Sequence, residues 1–294
     1  MPIDYRYHIG SFVAIFVALL LGILIGVGLA PNPEELERVV AGLKAEYRAV
    51  GEAKETEIKG LQEANRECDE LARETVAAAV RGRLAGRRVA VILDHPFDRD
   101  PLPDNLRSLL KQAGAAITST TIITRDFVAL PPEVRRRVSE RLSLYPPPNV
   151  DFAAVIAEAI AKDLAEGRPD LILDLHASGL LESTTGSKYN LQPDLVLLVG
   201  GYGSLQEAAP ERIDVPMVAK LTSLGVRVVG CEARGTAISC IPLYKTNGIP
   251  TVDNADTLAG RLSIVLALAG AEGSFGVKDT SDRFLPEIPP PTGP

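Results

Sequence analysis

The sequence predicts an α/β protein in three parts: a single N-terminal transmembrane helix, a helical coiled-coil stalk, and a mostly parallel three-layer α/β domain of Rossmann-like type. Three observations predict it. Ile9 to Ala30 runs for 22 residues without a charged side chain. Glu34 to Arg83 is rich in charge and repeats apolar residues at alternating spacings of three and four. From Val89 onward, short apolar runs of β-formers alternate with amphipathic helical segments, the pattern of a parallel sheet covered on both faces.

The anchor, residues 9–30, would be roughly 33 Å long as a helix, which matches a hydrocarbon core of about 30 Å. Only Ser11 and the glycines interrupt it, so it lacks the polar stripe of a soluble helix. Gly28-Leu29-Ala30 also fits the small-residue pattern of a cleaved secretory signal, the competing reading. The length of the run, the single Arg6 before it and Pro31 directly after it favour an uncleaved anchor. Residues 1–8 form the cytoplasmic N-terminus, with Tyr5 and Tyr7 suited to the membrane interface. Arg6 precedes the span and Glu34, Glu35 and Glu37 follow it, so the Lys/Arg bias places the N-terminus in the cytoplasm and the main domain outside a cell membrane crossed once. Ala18, Gly22 and Gly26 recur every four residues, a helix-dimerisation face of small residues. Glycine is also common in membrane helices, so this face alone leaves dimerisation open.

The stalk spans 34–83. With Leu36 at a d position, the seam continues through Val40, Leu43, Tyr47 and Val50, and later through Leu61, Ala64, Cys68, Leu71 and Ala78. Lys54, Glu57 and Thr75 interrupt the seam, and Gly51 and Gly60 weaken it. A helix of about 50 residues would reach roughly 75 Å. A single solvated helix folded back on its own domain is the alternative. A parallel homodimer is favoured because the membrane face and the seam select the same partner.

The α/β domain is expected over 86–285. Val89 to Leu93 reads as a strand, Leu106 to Lys111 as a helix ended by Gly114, and Ile117 to Ile123 as a second strand. Residues 131–144 and 152–165 read as helices separated by the Pro146-Pro-Pro break. Leu171 to Leu173, Leu195 to Val199 and Val226 to Val229 read as further strands. The last helix has Asp253 as its expected cap, Asp256 three residues on, and a buried stripe of Leu258, Leu262, Val265 and Leu266 before Gly270. The tail, 286–294, is Pro-rich and expected to be disordered.

A net charge of −7 and a pI near 5.2 argue against a nucleic-acid partner. Three cysteines are too few for a disulfide scaffold. Two apparent strand ends carry an acid and a histidine, Asp94-His95 and Asp174-Leu-His176. Such pairs can orient a base or bind a metal where they face one crevice at a carboxyl edge. Neither a Gly-x-Ser-x-Gly elbow nor a His-Glu-x-x-His segment accompanies them, and loop-edge Asp and His are more often caps and turn formers. Gly200-Gly-Tyr-Gly203 follows a strand, but Gln206 stands where a dinucleotide fingerprint wants Gly or Ala, so a tight turn is the better reading. Cys231 and Cys240 could form a disulfide or be small buried residues. As copper ligands they have Met217 as a soft companion of unknown proximity. The chain therefore reads as a non-enzyme without a built cofactor site, with Cys231, Cys240 and His176 as weak metal candidates.

His8-Ile-Gly-Ser11 followed by Ala14, Phe16, Ala18, Leu19, Gly22 and Gly26 at the front, and Thr251-Val-Asp253-Asn254, Asp256-Thr257, Gly260-Arg261, Ala267-Leu-Ala269 and Phe275-Gly276-Val277 at the back, resemble the actinobacterial copper-transport protein B family of MctB type. The likeness covers nearly the whole chain in the same order, and its C-terminal part is the specific one. The resemblance implies an envelope protein of copper homeostasis that limits intracellular copper, described in the family as channel-forming. It also implies, through relatives of similar build, partners in cell-envelope or cell-separation complexes. One apolar helix cannot form a pore alone, and no membrane-type barrel strands are present in the sequence. Asp253, Asn254, Asp256, Thr257, Gly260 and Arg261 also read physically as a helix cap and core face. Three functions stay open: copper homeostasis in the envelope, with copper the one cofactor brought in; a non-enzymatic scaffold binding an envelope partner through stalk and domain; and a hydrolase using His95 or His176.

Overall fold

The structure is a computed structural model and describes residues 5–28, 33–94, 103–124, 130–142, 145, 147, 150–184, 186–203 and 210–288. The Pro146 position, His95, the end of the anchor at 29–30 and the tail from 289 onward lie outside the described residues. The chain divides into two compact units, Met1–Asp69 and Glu70–Pro294.

In the first unit, α1 (Tyr5–Gly28) carries Ile9–Gly28, which is long and apolar enough to cross a membrane and is not buried by the protein. Helix α2 (Pro33–Val80) is continuous for 48 residues, close to the bounds expected for the stalk. Its glycines do not break it. Around Gly42, Gly51 and Gly60 a Cβ would meet nothing, so they cost propensity but no contact. Leu36, Val40, Leu43, Tyr47, Val50 and Leu61 are exposed along it.

The second unit is a three-layer α/β domain around a seven-stranded sheet. Its strands are β1 (Arg88–Leu93), β2 (Ala116–Ile123), β3 (Leu181–Ser183), β4 (Leu195–Val199), β5 (Arg227–Cys231), β6 (Thr251–Val252) and β7 (Ser274–Phe275). The order is β3-β2-β1-β4-β5-β6-β7, parallel throughout except for β3, which runs antiparallel to β2 at the edge. The parallel strands thus follow the second common doubly wound order rather than the Rossmann one, with the switch point between β1 and β4.

Burial on both faces explains the unbroken apolar runs. Ala90, Ile92, Val196, Leu198 and Val228 pack on one face with α4 (Pro132–Leu142), α5 (Phe152–Glu166), α6 (Asp170–Ala177), α7 (Asp214–Ser223) and α8 (Ile241–Thr246). Val89, Val91, Leu93, Leu195, Leu197, Val199 and Val229 pack on the other with α3 (Asp104–Gln112), α9 (Leu258–Leu268) and the last turns of α2 through Val76 and Val80. Each fully buried Val, Leu or Ile stabilises by about 1.5–3 kcal/mol. Helix α5 shows how the local sequence sets an element. Asp151 accepts a hydrogen bond from the Ala153 amide at its start. At its end Gly167 takes a left-handed conformation, with φ 67°.

One expected strand is corrected. Leu171 to Leu173 lies in α6, where Leu171, Ile172 and Leu175 are buried and Leu173 faces out, a helical rather than an alternating pattern. A three-residue apolar run carries no period by itself.

Candidate functional site

In a doubly wound sheet, ligands sit outside the carboxyl ends of the strands. Here four strand ends deliver polar residues there: Asp94 after β1, Gly200-Gly201-Tyr202 after β4, Glu232 after β5, and Asp253-Asn254 after β6. All four carboxylate and amide side chains are buried.

At the switch point the Tyr202 hydroxyl donates to Asp94. Asp214, the first residue of α7, is completely buried and accepts from the Tyr244 hydroxyl at 2.6 Å. Burial first, and the Asp94 carboxylate second, push the Asp214 carboxyl well above its ordinary range. It is a group that holds a proton where an exposed aspartate would not. Burial also raises Tyr202, Tyr244 and Cys240. The Tyr244 ring lies against Gly230 and Gly200, where a Cβ would overlap it. Gly201, with φ 95°, donates its amide to the Cys240 sulfur at 3.2 Å. The small residues Gly200 and Gly201 serve the close approach of Tyr244 and Cys240.

At the next two strand ends the chain supplies its own partners. Glu232 accepts from the Ser239 hydroxyl at 2.7 Å, the Cys240 amide at 2.8 Å and the Lys278 ammonium at 2.5 Å. Asp253 accepts from the Val277 and Lys278 amides, both at 2.8 Å, and from the Ser281 hydroxyl at 2.5 Å. The segment 276–281 is thereby tied across the edge at β5 and β6.

This corrects the expected cap. Thr257, not Asp253, caps α9: its hydroxyl accepts from the Gly260 amide at 3.0 Å and donates to the Asn254 carbonyl at 2.8 Å. Asp256 accepts from the Arg234 amide at 2.7 Å, and Arg261 donates to the Asp256 carbonyl at 3.1 Å. The Asn254 side-chain amide is buried with neither of its polar atoms partnered. Of the six C-terminal motif residues, Thr257, Gly260 and the Asn254 carbonyl thus close the start of α9, while Asp253 and Asp256 hold the segments that follow β7 and β5.

The weak metal candidates are not brought together. Cys231 packs in the core on the α3/α9 face, Cys240 in the core on the α5/α7 face, and His176 is exposed on α6. Met217 shares the core of Cys240. Both buried thiols are free, and burial raises their pKa, which disfavours the thiolate a metal needs. Among the described residues no group of three or more His, Cys, Asp or Glu is arranged to hold a metal. Asp174 and His176 lie on α6 and not at a strand end. Sequence reasoning missed Asp214, Glu232, Tyr244 and Lys278. Only Glu232 left a signal, since it follows β5 as Asp94 follows β1.

The molecule is thus a doubly wound α/β domain whose carboxyl-edge acids Asp94, Glu232 and Asp253 are bound by the chain's own side chains and amides, on a chain that also carries one long apolar helix. It matches the family described as copper transport outer membrane protein, MctB, over residues 2–286, and belongs to that family. No curated protein matches the chain.

Proposed function

We propose that this chain is a membrane-anchored envelope protein of copper homeostasis that acts without ligating copper through its own thiols. The family match over residues 2–286 is the observation that supports the copper role. In this reading Ile9–Ala30 crosses a cell membrane once, with the N-terminus cytoplasmic and the α/β domain outside, as the Lys/Arg bias favours. The chain is not an enzyme and takes no resident cofactor. Cu(I) competition against a chelator, on the full chain in detergent under reducing conditions, tests the second half. The expected result is no tight stoichiometric site; tight binding that disappears in Cys231→Ser/Cys240→Ser would overturn it.

A second reading, favoured by the exposed apolar residues of α2, is that the chain works as a dimeric scaffold for an envelope protein partner. Two copies pair in parallel through Ala18, Gly22 and Gly26 and through the seam from Leu36 to Ala78. Cys68 is exposed and takes an a position in that seam. Two such thiols in register come within disulfide reach, a Cα separation of about 6 Å. Diamide, which takes up the two hydrogens, is expected to give a covalent dimer of the full chain in membranes. Moving the thiol to the outer surface, in Cys68→Ser/Arg66→Cys, is expected to abolish most of it. Equal crosslinking of the two variants would contradict the parallel seam.

A further inference from the structure

Strand β3 pairs only with the last residues of β2, Thr121 to Ile123, so the first half of β2 has β1 on one side and no strand along its outer edge. Thr184 and residues 186–188 come alongside instead. The Lys188 amide donates to the Thr118 carbonyl at 2.7 Å, and the Ser187 hydroxyl accepts from the Thr120 amide at 3.1 Å. Between this turn, β2 and α3 lies a cavity of about 280 Å³ whose lining includes Arg107, Lys111, Ser119, Thr120, Thr184 and Ser187.

Its chemistry is one-sided. Arg107 and Lys111 stand one turn apart on α3, an arrangement in which like charges repel. The acid beside Arg107 is Asp104, 4.0 Å away with a fully solvated side chain, and among the described residues Lys111 has no carboxylate partner. Thr118, Thr120, Thr184 and Ser187 supply much of the remaining polar lining.

We propose that this cavity binds a tetrahedral oxyanion, either inorganic phosphate or the phosphate group of a larger ligand. The Arg107 fork would take two oxygens, Lys111 would add a point charge, and hydroxyls would donate to the rest. The anion also relieves the repulsion between the two cations.

Calorimetric titration of the full chain in detergent with sodium phosphate, against sodium chloride at matched ionic strength, tests this. Saturable phosphate binding is expected, weakened by about tenfold in Arg107→Ala and in Lys111→Ala, as loss of a charge-assisted hydrogen bond predicts. Arg136→Ala, on an exposed arginine of α4 that pairs with Glu140, is expected to bind as the parent does. Melting temperatures without phosphate, expected to be equal in all variants, show that folding is not what changed. A hexose 1-phosphate that binds more tightly than phosphate assigns the site to a larger ligand; equal affinity assigns it to the free ion. Heat no greater than with chloride, or binding that survives the double substitution, would overturn the proposal.

Discussion

Gly260→Ala is expected to cost about 3 kcal/mol or more of domain stability, although it places the best helix former inside a helix. Helix propensity alone predicts a gain of about 1 kcal/mol. The contact decides against it. A Cβ at Gly260 would overlap the Asn254 carbonyl group. That carbonyl is pinned by the Thr257 amide at 2.9 Å and the Thr257 hydroxyl at 2.8 Å, so it cannot yield without undoing the cap of α9. Gly51→Ala in α2 is the control of opposite sign, because a Cβ there meets nothing. It is expected to stabilise its helix by about 0.5–1 kcal/mol. The chain has no Trp, so urea unfolding is followed for Gly260→Ala by near-ultraviolet circular dichroism of the tyrosines. For Gly51→Ala it is followed by far-ultraviolet helicity. A Gly260→Ala protein as stable as the parent would refute the close packing of α9 on the Asn254 loop.

Lys278→Met is the second large effect. Glu232 is completely buried, and Lys278 is the cation the structure gives it. Pairing and the Ser239 and Cys240 donors offset the desolvation of the carboxylate. Removing the ammonium leaves a buried carboxylate with hydrogen bonds but no counter-charge, at a cost of about 3–5 kcal/mol. Adding Glu232→Gln is expected to recover most of it, since the neutral amide needs no counter-charge and keeps the shape. If Lys278→Met alone costs less than about 1 kcal/mol, the pair behaves as a solvated surface pair, and segment 276–281 is not tied down through it.

The two classes of residue differ in how legible they were. Long continuous signals survived: Ile9–Gly28, the 48-residue α2, and the strands Val89 to Leu93 and Leu195 to Val199 lie where the residue pattern puts them. Short elements did not. Leu171 to Leu173 is too brief to show a period, while the two-residue β6 and β7 are defined by ladder partners far away in sequence. At the carboxyl edge, Asp253 looked like a cap because it precedes an apolar helix. What it binds, the amides of Val277 and Lys278, lies 24 and 25 residues further on. Asp214 stands in the sequence as one more helix-start acid, and only the fold brings Tyr244 and Asp94 beside it. Cys231 and Cys240, nine residues apart, read from the sequence either as a disulfide or as small buried residues, and both are free and buried. The sheet separates them, because Cys231 points to one face and Cys240 packs against the other.

The most direct test of the account is copper tolerance in a strain lacking this chain, measured with the parent and with Cys231→Ser/Cys240→Ser restored at equal levels. The account predicts lost tolerance in the deletion and full recovery with either chain. Tolerance unaffected by the deletion would contradict the copper role, and recovery with the parent alone would show that the thiols carry it.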